Sequence, residues 1–155
     1  NCLPYAGLLT VFGQGVRAAR PGEAGRRTGG LLVAYGLANA IGGVVFPMAQ
    51  RPVLAANAHS PINAMHIPVM GIMSAFLLLA LRSASVLSGK GVRAFTNVTT
   101  VALVLPAVLM APDVPKVARN EPTPYMGALA RINIYATALW IAVLGLVLMR
   151  DEEER

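Results

Sequence analysis

Ile132–Met149 reads INIYATALWIAVLGLVLM, eighteen residues without one Asp, Glu, Lys or Arg, entered at Arg131 and left at Arg150. A helix rises ~1.5 Å per residue, so the segment from Arg131 to Arg150 covers ~28 Å. The hydrocarbon of a bilayer is ~30 Å thick. Four more stretches carry no formal charge: Asn1–Val16, Thr28–Gln50, Pro52–Leu81 and Ala94–Pro112, of 16, 23, 30 and 19 residues. Only helices and closed barrels satisfy every backbone group in lipid. These runs are too long for barrel strands and lack strict alternation. The reading is an all-α polytopic transmembrane bundle with five spans, at about 1–16, 28–48, 61–81, 94–111 and 125–149, in one domain over 1–155.

Composition agrees. Of 155 residues, 13% are charged and 55% hydrophobic. A soluble domain carries ~25% charge, so this chain covers a water-facing surface poorly. The apolar excess also excludes disorder. A single cysteine, Cys2, excludes an internal disulfide and a cysteine-built metal site.

The connections sort by charge. Arg17, Arg20, Arg26, Arg27, Arg82, Lys90, Arg93, Arg150 and Arg155 fall on one side, and Arg51, Lys116, Arg119 and Arg131 on the other. The positive-inside rule places loops 17–27 and 82–93 and the C-terminus in the cytoplasm. The expected location is therefore the inner (plasma) membrane, multi-pass. The net charge of +6 needs no nucleic-acid partner, because the basic residues sit at helix ends and no aromatic residues interleave with them. The first run is short and starts without Met, which reads as an upstream helix, six spans in all and both termini cytoplasmic.

Pro21-Gly22 breaks the chain, and Pro47 ends the second span. Ser60-Pro61 reads as an N-cap followed by Pro at the first helical position. Pro68 and Pro106 fall inside spans and are candidate kinks. Pro112–Pro124 is an external loop with four prolines. In the second span Gly36, Ala40 and Gly43 are small residues that let backbones approach. Asn39 lies deepest and needs an interhelical hydrogen bond. In the last span Ala128, Arg131, Tyr135, Ala138, Ala142 and Gly145 form one stripe, read as a packing face.

Polar groups inside a membrane are the default functional candidates. Arg131 sits at the outer boundary, where it anchors to Glu121, Asp113 or a lipid phosphate, or binds a ligand. His66 occupies the same depth, as an interface residue or as a general base. Asn97, Thr99 and Thr100 form a weaker polar patch, since Thr hydroxyls bond their own helix carbonyls. HExxH, GxSxG and Walker A motifs are absent from the sequence. No acidic residue lies in the charge-free runs. Both histidines belong to one loop–helix segment, which does not support a haem. A zinc or manganese set from His59, His66, Asp113 and Glu121 has no motif behind it. No cofactor or metal is expected.

Three local patterns carry a family resemblance. They are Val45-Phe46-Pro47-Met48, then Asn63-Ala64-Met65-His66, then Pro122-Thr123-Pro124-Tyr125 with Gly127, Ala130-Arg131-Ile132-Asn133-Ile134-Tyr135-Ala136 and Trp140. In this order they resemble the bacterial and archaeal membrane family called domain of unknown function 998, over nearly the whole chain. The resemblance implies about six helices and supplies no activity. Two positions depart from it. Ala130 stands where the family often has an acidic residue, which removes an Arg–Glu neighbour pair. Tyr125 stands where Trp is common.

Three functions are then open. The first is binding or moving a lipid headgroup or small anion at an outer-leaflet pocket lined by Met48, Asn63, His66, Arg131 and Tyr135. The second is a structural subunit that packs on a membrane partner through small-residue stripes. The third is a membrane-embedded hydrolase or transferase using His66, which lacks a paired carboxylate or nucleophile. The bilayer is the expected partner; a protein partner is unidentified.

Overall fold

The computed structural model describes residues 2–47, 53, 56, 60–87 and 89–153. Among them the order is α1 (Cys2–Ala19), α2 (Glu23–Val45), α3 (Pro61–Ala84), α4 (Lys90–Met110), a 3-10 turn (Ala111–Asp113), α5 (Val114–Ala118) and α6 (Met126–Glu153), with no strand. The fold is an all-helical membrane bundle. Glu23–Val45, Ala64–Ala84, Lys90–Val117 and Met126–Asp151 are long and apolar enough to cross a bilayer. The fifth expected span, α1, is a helix of 18 residues, about 27 Å long, and stands outside that set.

Prolines set several boundaries. Phe46 precedes Pro47 and leaves the helical region at φ −124° and ψ 55°, as a pre-proline residue is pushed to do. Pro61 is the first residue of α3, and Ser60 holds the N-cap position without making a side-chain cap bond. The helices also run further into the basic connections than the charge-free runs indicate. Arg26 and Arg27 lie in α2, Lys90 and Arg93 in α4, and Arg150 in α6. Long cationic side chains at helix ends reach the interface without ending the helix. Arg93 Nε–H donates to the Ser85 carbonyl at 3.2 Å, which ties the tight turn between α3 and α4.

The Pro-rich segment Pro112–Pro124 is not wholly irregular, because it contains α5. That helix ends in a Schellman turn. Asn120 takes φ 57°, Asn120 N–H donates to Val117 O at 3.1 Å and Glu121 N–H to Lys116 O at 2.9 Å. Asn tolerates this left-handed position better than most residues.

Helices α1, α2 and α3 pack successively as one unit, and α4 with α6 as a second. The closest crossing is α1 on α2. A Cβ on Gly13 would lie 2.6 Å from the Gly29 carbonyl oxygen, and one on Gly29 2.3 Å from that of Gly13. Neither position has room for a side chain. The two units meet in a core of Leu9, Leu32, Leu77, Leu81, Leu103, Trp140 and Leu144. That core lies in the half of the bundle nearest the arginine-rich connections. In the other half Pro61–Phe76 of α3 and Met126–Ala136 of α6 contain no buried residue among those whose side chains are described.

Candidate functional site

The sequence-derived site residues reach different places. Met48 and His59 lie outside the described residues, and Asn63 stands in the first turn of α3. His66 is half-buried, with Nδ1 2.9 Å from the carbonyl oxygen of Phe46. A carbonyl only accepts, so Nδ1 carries the proton and Nε2 keeps a lone pair in the neutral ring. Phe46 is the C-cap of α2, where carbonyls have no partner within the helix. His66 therefore caps α2 from α3. Beside it, Val69 and Met73 pack against Gly42, where a Cβ would lie 2.9 and 3.3 Å from their side chains.

Arg131 points elsewhere. It lies eleven residues before Ala142 in α6, three turns, and so on nearly the same face. Ala142 and Gly145 border a furrow whose other wall is α1. Arg131 thus belongs to the α1 flank of α6, while His66 is engaged with α2. The guanidinium is exposed and has no hydrogen bond or ion pair among the described residues. Of its expected carboxylate partners, Asp113 holds Lys116 at 2.8 Å and Glu121 holds Arg119 at 3.3 Å. Tyr135, one turn further, is 68% exposed.

The packing residues divide similarly. Gly36 is buried against α1, with a Cβ there 3.0 Å from Ala6 O. Gly43 faces Cys2, and Ala40 is half-buried. Asn39 makes no interhelical bond among the described residues. Its Nδ2 donates to Tyr35 O, 3.0 Å away in the same helix, which satisfies one donor without a partner helix. In α6, Ala138 and Ala142 are exposed and Gly145 is half-buried. The face that α6 buries is instead Thr137, Trp140, Leu144 and Leu148. Area and shape decide this: the indole fills the space between the two units, which a stripe of alanines cannot.

Besides His66, the bonds that join helices come from residues outside the expected site. Trp140 Nε1–H donates to Thr96 Oγ1 at 3.2 Å, in a fully buried setting. Thr28 Oγ1 donates to Ser83 Oγ at 2.9 Å, and Ser83 Oγ to Ala24 O at 3.3 Å. Thr99 and Thr100 bond their own helix, to Phe95 O and Thr96 O. Most telling is Asn133. With its amide oriented to satisfy both contacts, its nitrogen donates to Ala102 O at 3.2 Å and Leu103 O at 3.1 Å. Pro106 has no N–H, and Ala102 O is the carbonyl that N–H would have served. Asn133 supplies the missing donor from the neighbouring helix. The signal was legible in principle: a proline inside one span and an asparagine at matching depth in its neighbour.

Two further features complete the geometry. Arg20 Nη2 pairs with Asp151 Oδ2, which ties the end of α1 to the end of α6, and the Arg20 side chain is only 17% exposed. A furrow of about 640 Å³ runs beside this pair, between α1 and α6. A second groove, of about 520 Å³, lies between α4 and α6 on the opposite flank, lined by Val98, Val101, Leu105 and Ile132.

Long apolar helices, a buried core at one end and polar groups spent on joining helices define a polytopic α-helical membrane protein. Within that class the chain belongs to the family described as Protein of unknown function (DUF998), whose model matches residues 1–147. No curated protein and no solved structure matches the chain.

Proposed function

We propose that this protein binds an anionic phosphate group, on a lipid or free, at Arg131. One observation carries the reading. Arg131 is an exposed cation without a partner among the described residues, at the end of α6 where the bundle is least packed. An Arg fork matches phosphate geometry and holds it bidentately. Tyr135, one turn away, offers a hydroxyl and an amphipathic ring suited to a membrane interface. In this reading the arginine-rich connections face the cytoplasm of a prokaryotic cell, and Arg131 meets the outer leaflet of the plasma membrane. His66 keeps α2 and α3 joined at the same end through Phe46 O.

The test compares wild type, Arg131→Ala and Arg131→Lys after extraction in mild detergent. Co-purified lipids are identified by mass spectrometry, and inorganic phosphate is titrated while thermal unfolding is followed. Arg131→Ala is expected to lose anionic phospholipid, with Arg131→Lys intermediate and the melting temperature without ligand unchanged. A stabilisation of wild type alone by inorganic phosphate would assign the site to the free anion. An unchanged lipid profile and no response to phosphate would remove the proposal.

A further inference from the structure

The chain passes once between its two packed units, through the connection from α3 to α4. Arg93 ties that connection to the Ser85 carbonyl. Side-chain hydrogen bonds hold each unit together from within. Thr28 with Ser83 and His66 with Phe46 O lie inside the first, and Trp140 with Thr96 lies inside the second. The Arg20–Asp151 pair differs, because it crosses from one unit to the other. It stands on the α1–α6 side, away from the α3–α4 connection.

The seam that this pair closes is loose. Helices α1 and α2 meet backbone to backbone at Gly13 and Gly29. Across the α1–α6 seam, a Cβ on Gly15 would meet nothing within 4 Å, and one on Gly145 would meet the Phe12 ring at 3.3 Å. The furrow of about 640 Å³ lies along this seam. The core between the units supplies shape, but in lipid no hydrophobic drive presses one apolar helix on another. Polar contacts between the units therefore weigh heavily in keeping them together.

The pair is also poised. The Arg20 side chain is 17% exposed, and its Nε–H is buried with no partner among the described residues. A donor left in that state costs free energy, and the cost is relieved when the guanidinium reaches water. Removing the carboxylate from such a pair strands a buried charge, which then leaves the seam.

We propose that Arg20 and Asp151 form a latch on a lateral opening between α1 and α6. With the pair made, the seam is closed. With the pair broken, the two units part along α1 and α6 and turn about the α3–α4 connection, and the furrow becomes a gap open to lipid. The latch does not rest on Arg131, which lies at the far end of α6.

Pulsed electron resonance on the full chain in lipid nanodiscs tests it. Cys2 is the single cysteine, so labels go on in a Cys2→Ser background. Val11→Cys on α1 and Leu139→Cys on α6 report across the seam; Val11→Cys and Leu37→Cys on α2 report within one unit. All three positions are exposed. Leu139 stands three turns before Asp151, so fraying at the end of α6 leaves it in place. Asp151→Asn and Arg20→Gln are each expected to lengthen the Val11–Leu139 distance by ~5 Å or more, about half the spacing of packed helices. The Val11–Leu37 distance should stay as in wild type. Arg20→Glu combined with Asp151→Arg rebuilds the pair in reverse and should restore the short distance. A wild-type Val11–Leu139 distance in both single variants overturns the latch. So does a change in both distances together, which would make the pair a support of the whole fold, or a reversed pair that leaves the seam open.

Discussion

The two ends of α3 live under different rules. Leu77, Ala80, Leu81 and Ala84 are buried among the other helices. Pro61–Phe76 of the same helix has no buried residue among those described and leans on α2 through His66, Val69 and Met73. Helix α6 repeats the contrast in reverse order, with no buried residue from Met126 to Ala136 and buried ones at Thr137, Trp140, Leu144 and Leu148. Both helices carry apolar residues along both halves, so hydrophobicity alone does not separate them. In lipid it offers no drive for one apolar helix to pack on another, and shape and hydrogen bonds decide instead. The packed half has Trp140, the Gly13–Gly29 crossing and the Thr28–Ser83 link. The open half holds Arg131, which has no partner among the described residues.

That contrast can be broken by measurement. Trp140→Ala should cost ~3–5 kcal/mol, since the indole is 1% exposed and its loss also strands the Thr96 hydroxyl. Met70→Ala, in the open half of α3 and 45% exposed, should cost under ~1 kcal/mol. Equilibrium unfolding in mixed micelles measures both, and similar losses would mean the halves are equally packed. Next in size is Asn133→Ala, expected to cost ~1–2 kcal/mol. In a Pro106→Ala background the cost should shrink, because the restored N–H serves Ala102 O. A double-mutant cycle with no coupling would separate the two residues. Smallest is Asn120→Gly, which relieves a side chain from the left-handed position and should change stability by only a few tenths of a kcal/mol. Asn120→Val, which that conformation tolerates poorly, should cost ~1–2 kcal/mol. Equal behaviour of the two variants would mean that the turn after α5 does not hold this geometry.

The helices were legible because charge is expensive in hydrocarbon, and its gaps mark the spans. The ends were less so. Arg26, Lys90 and Arg150 are helical although charged, since a guanidinium or ammonium can leave the hydrocarbon while its backbone stays in the helix. Of the small residues in these stripes Gly36 is buried, while Gly43, Ala138 and Ala142 are exposed. Spacing marks where close approach is allowed, and a neighbouring Trp140 can take the contact. Depth arithmetic put His66 and Arg131 in one layer. It carries no information about azimuth, and the azimuth turns them to different helices. Asn39 went to its own helix because a carbonyl one turn back is always in reach.

The Asn133 amide over Ala102 O and Leu103 O also sets the register between two helices. Slid by one turn, about 5.4 Å, α6 would offer α4 a different side chain at the proline gap. Apolar surfaces alone leave that slide nearly free in lipid, since one greasy ridge fits much like the next. A proline on α4 and an amide on α6 mark a single position along the shared axis. The defect in one helix becomes the address at which the other docks.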